Sequence, residues 1–356
     1  MHPSKVLVVS GDSYHQGLQQ GEIFKNEIEF NIQSIHNQLS TSEFSMSKYL
    51  DLIKKNFDFL VSSCPDLVQE MKGISDGSRI SLDKIIEINV PAYFMTKYLP
   101  NECSMILARG NATLDHKTYL IKNRDMRFPT KQVVIEHHYD DGSIITEVNG
   151  AGIVTYPANG LNNHGLAIAT TGFWSPKVKI NLDDISNSHI FINIHLLLNS
   201  CTSVDDVIQR IQRIQRMPRM NGLNIIAADH KSAAIIETMK DNIAVEFTND
   251  KGILFRTNHY LCSNHTEFNP TYEEYPSTFK RYDRIQYLLR ECGKVRFQDL
   301  LRILSDHENG PVNSICRHPN SEATAETDSS SLIVLEDQEM WTTFGNPCDG
   351  IGISKF

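Results

Sequence analysis

Residues 102–125, ECSMILARGNATLDHKTYLIKNRD, decide how this chain of 356 residues folds. Two β-rich runs, CSMILARG and KTYLIKNRD, flank the turn signal Gly110-Asn111, and such runs read as a hairpin. With Leu107–Ala108 opposite Tyr119–Ile121, Lys122 and Asp125 return to the end that carries Cys103. A carboxylate there would orient an amine, and cations there would favour a thiolate. A strand cysteine is more often a small buried hydrophobe, and a charged strand end more often a surface ion pair. The residues of the hairpin leave both readings open.

Upstream the texture differs. KVLVVS (Lys5–Ser10) reads as a short strand, Gly11-Asp12-Ser13 as a turn with capping residues, and a helical pattern runs on to about Leu39. Further helices are expected around Met46–Ser62, Pro65–Ser75 and Leu82–Thr96, with the texture changing at Asn101. Downstream of the hairpin come the strands QVVIEHHY and SIITEV, then a helical stretch from about Ser188 to Met217. NIIAAD, AAIIET and AVEFT form a second meander, Ser277–Glu291 and Phe297–His307 a helical block, and SLIVLED and MWTTFG the closing strands. The small polar segment Asn320–Ser331 reads as a loop. Antiparallel runs and helices in blocks predict an α+β layered fold rather than βαβ units.

Composition narrows the function classes. Hydrophobic residues at 40% and charged residues at 22% fit a globular protein. The net charge of -9 argues against nucleic-acid binding. No run is apolar over the eighteen residues of a membrane helix, and MHPSKVLVVSGDSYHQG lacks the build of a secretory signal, so a cytoplasmic protein is expected. The seven scattered cysteines do not suggest a disulfide framework. Neither CxxC nor HExxH occurs, and His137 and His138 would face opposite sides of a strand. No metal and no cofactor are expected. Walker A and dinucleotide fingerprints are lacking as well. Arg210, Arg213, Arg216 and Arg219 recur every third residue and are read as a solvated helix face, although such a stripe could meet the phosphates of acyl-CoA.

Blocks in order along nearly the whole chain carry a resemblance: GDSYHQGLQQG, ECSMILARGNATLDHKTYLIKNRD, ANGLNNHGLAIATTGF, FRTNHYL, STFKRYDR, LSDHENGPVNSICRHP and TTFGNPCDGIG. Together they resemble the isopenicillin N acyltransferase (acyl-CoA:6-aminopenicillanate acyltransferase) group, peptidase family C45, of the N-terminal-nucleophile (Ntn) hydrolases. The choloylglycine hydrolases are similar at a greater distance. The resemblance implies a four-layer αββα sandwich with mainly antiparallel sheets. It also implies a zymogen that cuts itself between Glu102 and Cys103, giving chains 1–102 and 103–356 of one domain. Cys103 would then be both thiol nucleophile and, through its freed α-amine, its own base.

By position, the resemblance assigns Asp125 to hold that amine, Asn258 to bind the oxyanion, and Arg281 to stabilise charge near the thiol. Lys122 stands where the choloylglycine relatives have an arginine. Thr170, Thr171 and Gly172 match the opposite wall, where only backbone N–H groups would contribute. Glu102 departs from the family pattern, which has glycine before the cysteine. Asp306-His307 and Cys316-Arg317-His318 are read as structural or pocket-rim residues, and Cys348 as a packing residue.

The expected chemistry is attack of Cys103 on an amide or thioester, with the acyl group passed to water or an amine. The partners are then a small-molecule acyl donor and acceptor and the cleaved 1–102 chain, with a homo-oligomer left open. Acyl-CoA would be a substrate rather than a bound cofactor. Two rivals stand beside this reading. One is an unprocessed, catalytically silent relative that binds a small acyl ligand; the other is a Cys–His hydrolase pairing Cys103 with His259 or His307.

Overall fold

The structure, a computed structural model, describes residues 6–40, 46–89, 102–178, 193–214, 222–239, 242–262, 264–319, 325–349 and 354–355. It opens with strand β1 (Val6–Ser10) and helices α1 (Ser13–Ile23), α2 (Lys25–Ser40), α3 (Met46–Ser63), α4 (Pro65–Ser78) and α5 (Leu82–Asn89). Asp12 caps α1 by accepting the His15 N–H, and Pro65 occupies the first turn of α4, where a missing N–H costs nothing. Residues 90–101, which include the rest of the helix expected to Thr96, lie outside the described residues.

The strands then follow: β2 (Glu102–Ala108), β3 (Tyr119–Met126), β4 (Gln132–His138), β5 (Ile144–Gly150), β6 (Asn159–Asn162) and β7 (Ala167–Gly172). Helices α6 (Ile194–Ser200) and α7 (Val204–Ile214) stand where one helical stretch was expected. Arg216 and Arg219 of the basic stripe lie outside the described residues. Next come β8 (Leu223–Ala228), β9 (Ala233–Met239), β10 (Asn242–Phe247) and β11 (Ile253–Arg256), then α8 (Pro276–Cys292), α9 (Phe297–Leu304) and the short α10 (Gly310–Asn313). Strands β12 (Glu326–Val334), β13 (Glu339–Phe344) and β14 (Ser354–Lys355) close the chain.

Two sheets result, ordered β1-β4-β5-β6-β7-β8-β9-β10 and β11-β2-β3-β12-β13-β14. Every pairing is antiparallel except β1 with β4. Met105, Leu107 and Leu120 of the second sheet pack against Val134, Val148 and Ile226 of the first. Helices α1–α5 cover the β4–β5 end of the first sheet through Phe24, Ile28, Met71, Val133 and Ile135, and α6–α7 cover Ile168, Ile225 and Ile236. Ile285, Leu300 and Ile303 of α8 and α9 cover Ile106, Ile121 and Leu332 of the second sheet. The layers are helix, sheet, sheet, helix, as expected.

One expectation is corrected. Residues 326–331, expected in a loop, form the start of β12, hydrogen-bonded between β3 and β13. Their hydroxyls are satisfied within the fold: Ser330 Oγ donates to Asn123 Oδ1 at 2.6 Å and Thr327 Oγ1 to Asp125 Oδ1 at 2.7 Å. A polar strand is stable when each buried group finds a partner.

Helices α1 and α4 touch along glycines. A Cβ at Gly17 would lie 2.1 Å from the Glu70 carbonyl, and one at Gly73 would lie 2.0 Å from the Tyr14 carbonyl. Neither backbone can yield without separating the helices. Gly73→Ala is expected to destabilise the protein by about 1–3 kcal/mol; a denaturant titration would check this, and an unchanged midpoint would mean that the helices part freely.

Candidate active site

Side chains alternate along a strand, so the β2–β3 hairpin sorts its polar residues by face. Its register sets Glu102 opposite Asp125, Cys103 opposite Arg124 and Met105 opposite Lys122. Cys103, Lys122 and Arg124 share the face of Met105, which points between the sheets. Glu102, Ser104, Asn123 and Asp125 share the other face, toward the layer of α8 and α9, where Asn123 donates to the Leu304 carbonyl.

Cys103 is 4% exposed, and both of its backbone polar groups are bound by side chains from elsewhere in the chain. Its N–H donates to Asn258 Oδ1 at 3.1 Å, and its carbonyl accepts from Arg281 Nη1 at 2.5 Å. Arg281 Nη2 also donates to Asn258 Oδ1, at 2.8 Å. With two donors on that oxygen, the amide nitrogen of Asn258 turns the other way and donates to the Gly172 carbonyl at 2.7 Å. Arg281 is wholly buried, and further donates to Ser277 Oγ and Ser104 Oγ.

Glu102 is 3% exposed. Its carboxylate accepts from Ser277 Oγ at 2.7 Å and pairs with Arg281 at 3.3 Å and with Arg317. Burial pushes the Glu102 carboxyl up, but Arg317, Arg281 and the Ser277 hydroxyl outweigh it and hold the group below the usual carboxylate range. The side chain that departs from the family pattern therefore has its own binding pocket on the helix side of the strand.

Asp125 is wholly buried. Its Oδ1 accepts from Thr327, while its Oδ2 has no hydrogen-bond partner among the described residues. Burial raises its carboxyl to about 6, against the pull of Arg281 and Arg317. Lys122 donates to the carbonyls of Ala158, at 2.8 Å, and Thr170. Burial lowers its ammonium to about 8, an effect that Arg124 adds to and that Cys103 and Asp125 oppose. Thr170 and Gly172 thus present carbonyl acceptors to Lys122 and Asn258, and Thr171 Oγ1 donates to the Thr257 carbonyl at 2.5 Å. Toward Lys122 and Asn258 this wall displays acceptors.

The two histidines of the rival pairing are engaged otherwise. His259 Nδ1 lies 2.9 Å from Thr278 Oγ1, and burial lowers the ring to about 3. His307 is exposed, with its Nδ1 on the Ser305 carbonyl at 3.1 Å. Among the described residues, no hydrogen bond links either ring to Cys103.

The high Asp125 value sets a pH dependence. Between 3.8 and about 6 the folded chain keeps a proton on Asp125 that the unfolded chain has released, so this group's contribution to stability falls as pH rises through that window. Above it the carboxylate is a buried charge with an unpaired oxygen. In uncut protein carrying Cys103→Ala, Asp125→Asn is therefore expected to raise the unfolding temperature relative to its parent by an increment that grows from pH 4 to 6 and then levels, worth at most about 3 kcal/mol. Melting curves across pH check it; an increment that shrinks with pH would refute the assignment.

Arg317, read from the sequence as a structural or pocket-rim residue, is structural, and Ser277 and Thr327, which the sequence does not single out, stand beside it. Arg317 is buried beside Glu102, and its backbone N–H donates to Thr327 Oγ1 at 2.8 Å. A buried Glu102 needs a cation, but the sequence shows neither that Glu102 is buried nor which cation meets it.

The model of a family described as acyl-coenzyme A:6-aminopenicillanic acid acyl-transferase matches residues 112–349. Among solved structures, two variants of a conjugated bile acid hydrolase from Clostridium perfringens are similar at 14% identity and a TM-score of 0.47, covering 71% of this chain and 96% of theirs. A penicillin V acylase from Agrobacterium tumefaciens is similar at 11% identity and a TM-score of 0.41, covering 68% of this chain and 83% of its own. No curated protein matches.

Proposed function

The chain belongs to the acyl-coenzyme A:6-aminopenicillanic acid acyl-transferase family, and from that membership we propose that it is a self-processing acyltransferase or amide hydrolase with Cys103 as nucleophile. The observation that carries the reading is the Oδ2 of Asp125, buried directly opposite Glu102 and unpartnered among the described residues. Cleavage of that bond creates a free amine at Cys103, whose N–H groups can donate to this oxygen and which becomes its counter-cation on taking up the thiol proton. The same pairing would relieve the cost of keeping Asp125 ionised.

Processing begins when Cys103 Sγ attacks the Glu102 carbonyl carbon. The carbon–nitrogen bond breaks, the nitrogen takes up a proton, and residue 102 is left as a thioester on sulfur. Water then cleaves the thioester, freeing the thiol and giving Glu102 a terminal carboxylate. Arg281 and Asn258 hold the Cys103 carbonyl and N–H on either side of the nucleophile, so the bond is presented in a fixed orientation.

In the mature enzyme the freed amine takes the thiol proton, and the thiolate attacks the acyl donor. Asn258 Nδ2, reoriented from Gly172, would supply an oxyanion donor of a kind whose loss costs about 10²–10³ in rate. Hydrolysis and transfer share this acyl-enzyme and differ in whether water or an amine accepts the acyl group. Chain 1–102 would stay bound after cleavage, because β1 is a strand of the first sheet and Asn31 bonds the Ala151 carbonyl at 3.0 Å and the Lys131 N–H at 2.7 Å.

The test is acid quenching of purified protein during incubation with an acyl thioester or an N-acyl amide, followed by peptide mass analysis. An acyl adduct on the peptide that begins at Cys103 is expected. A chain that stays whole and takes up no acyl group would count for the silent binding relative instead.

A further inference from the structure

We propose that the chain holds a tetrahedral zinc ion between Cys316, His318, Cys348 and His307, a site apart from the nucleophile but tied to it through Arg317. The four side chains come from three separated segments. Cys316 and His318 follow α10, Cys348 lies beyond β13, and His307 follows α9. Cys316 Sγ lies 3.5 Å from Cys348 Sγ. His318 Nε2 lies 3.1 Å from Cys348 Sγ and 3.7 Å from Cys316 Sγ. Ligand atoms of His307, His318 and Cys348 all lie within 4.8 Å of one another.

The separations among Cys316, His318 and Cys348 have the size of a zinc coordination shell, and the His307 ring, grouped with His318 and Cys348 but not with Cys316, has to turn toward Cys316 to complete it. Zinc bonds of about 2.3 Å to sulfur and 2.0–2.1 Å to nitrogen, at tetrahedral angles, put sulfur about 3.8 Å from sulfur and about 3.6 Å from nitrogen. A disulfide would bring the two sulfurs to about 2.0 Å, and both cysteines are free. Two thiolates and two imidazoles form a soft donor set that selects zinc over calcium or magnesium.

Groups around the cluster orient the ligands. His307 uses Nδ1 on the Ser305 carbonyl at 3.1 Å, which leaves Nε2 as its free lone pair. Asn346 Nδ2 points at Cys316 Sγ from 3.7 Å, the arrangement of an amide donor to a bound thiolate. Cys316 is buried, Cys348 and His318 are half-buried and His307 is exposed, so metal would enter from the His307 side. The ligands lie in segments that meet only on folding, so no single stretch of the sequence marks the site.

The site has a consequence for catalysis. Arg317 lies between two of the ligands, its carbonyl accepts from the Thr327 N–H at 3.0 Å and from Asn346, and its guanidinium pairs with Glu102. Metal bound on both sides of Arg317 would fix the cation that holds the residue before the nucleophile. The ion is a positioning element in this scheme and touches no substrate.

The experiment uses full-length protein carrying Cys103→Ala, which removes the nucleophilic thiol as a competing ligand. Elemental analysis after dialysis in metal-free buffer is expected to find one zinc per chain. Replacement by Co2+ is expected to give a sulfur-to-cobalt charge-transfer band and intense visible bands of tetrahedral cobalt. Cys316→Ser and Cys348→Ser should each lower retained zinc at least tenfold, with circular dichroism reporting whether each variant folds. The cobalt spectrum of the parent decides the matter if neither variant folds. Absence of thiolate-to-cobalt absorption in protein with reduced thiols, zinc retained undiminished in folded Cys316→Ser and Cys348→Ser, or a Cys316–Cys348 disulfide in the isolated protein would each overturn the proposal.

Discussion

The wild type is expected to yield fragments 1–102 and 103–356, and Cys103→Ala to leave a single full-length chain without acyl transfer or amide hydrolysis. The two losses have one cause. In the proposed scheme the same sulfur attacks the Glu102 carbonyl once and the acyl donor in every later turnover. Removing a catalytic nucleophile costs on the order of 10⁶ in turnover in well-studied hydrolases. Cys103→Ser separates the two steps: an alcohol is a weaker nucleophile than a thiolate at neutral pH, so slow cleavage with little turnover is expected. Intact mass and N-terminal sequencing over time provide the measurement. Fragments from Cys103→Ala in purified, protease-free protein would show that Cys103 does not cut the chain.

The second large effect is expected at Arg281. This buried guanidinium donates to Glu102, Cys103, Ser104, Asn258 and Ser277 together. Arg281→Ala leaves the Glu102 carboxylate with Arg317 and Ser277, strips the Cys103 carbonyl of this donor and opens a cavity. Breaking a buried ion pair from one side costs about 3–5 kcal/mol. The variant should therefore unfold at lower denaturant concentration and process slowly or not at all. Arg281→Lys keeps the charge but loses the planar fork, so it should recover less stability than charge alone would restore.

A double-mutant cycle makes the attribution specific. Adding Glu102→Gln to Arg281→Ala removes the poorly compensated carboxylate, so the pair should be less destabilised than the sum of the singles. Strict additivity would mean that Arg281 acts on stability through its other contacts. Processing kinetics in the same variants report on the scissile bond separately, because a purely structural loss would not distinguish Glu102→Gln from other surroundings of that bond.

The hairpin was legible because its information is local. CSMILA and KTYLI are short β-rich runs on either side of the Gly110-Asn111 turn signal, and the resulting register, Leu107 against Leu120, brings Lys122 and Asp125 back to Cys103. The helical opening and the break near residue 101 were legible for the same reason, since both rest on periodicity over a short window. Asn258 and Arg281 came from a resemblance of short blocks rather than from any pattern in the residues themselves. The structure brings both to the Cys103 backbone, from the loop after β11 and from α8.

Residues 326–331 show where local reading fails. ETDSSS has the composition of a loop, yet it is the start of a strand in the middle of a sheet. Its polarity follows from its neighbours, because Asn123 and Asp125 on the adjacent strand need hydroxyl partners. Arg317 and the Cys316–Cys348 cluster were hidden in the same way. Arg317 meets Glu102 from 215 residues away and the two cysteines are 32 residues apart, and a window of sequence carries no record of which segment beyond it will pack against it.

By itself, then, the sequence determined the hairpin, the helical opening, the β-rich remainder and the placing of Cys103 where the texture changes, since propensity and turn signals act between near neighbours. Tertiary packing decided which face of β2 each side chain took. It turned the Cys103 thiol between the sheets and set Glu102 among Arg281, Arg317 and Ser277 on the helix side. Burying a carboxylate is costly unless cations meet it, and those cations are 179 and 215 residues away in the chain.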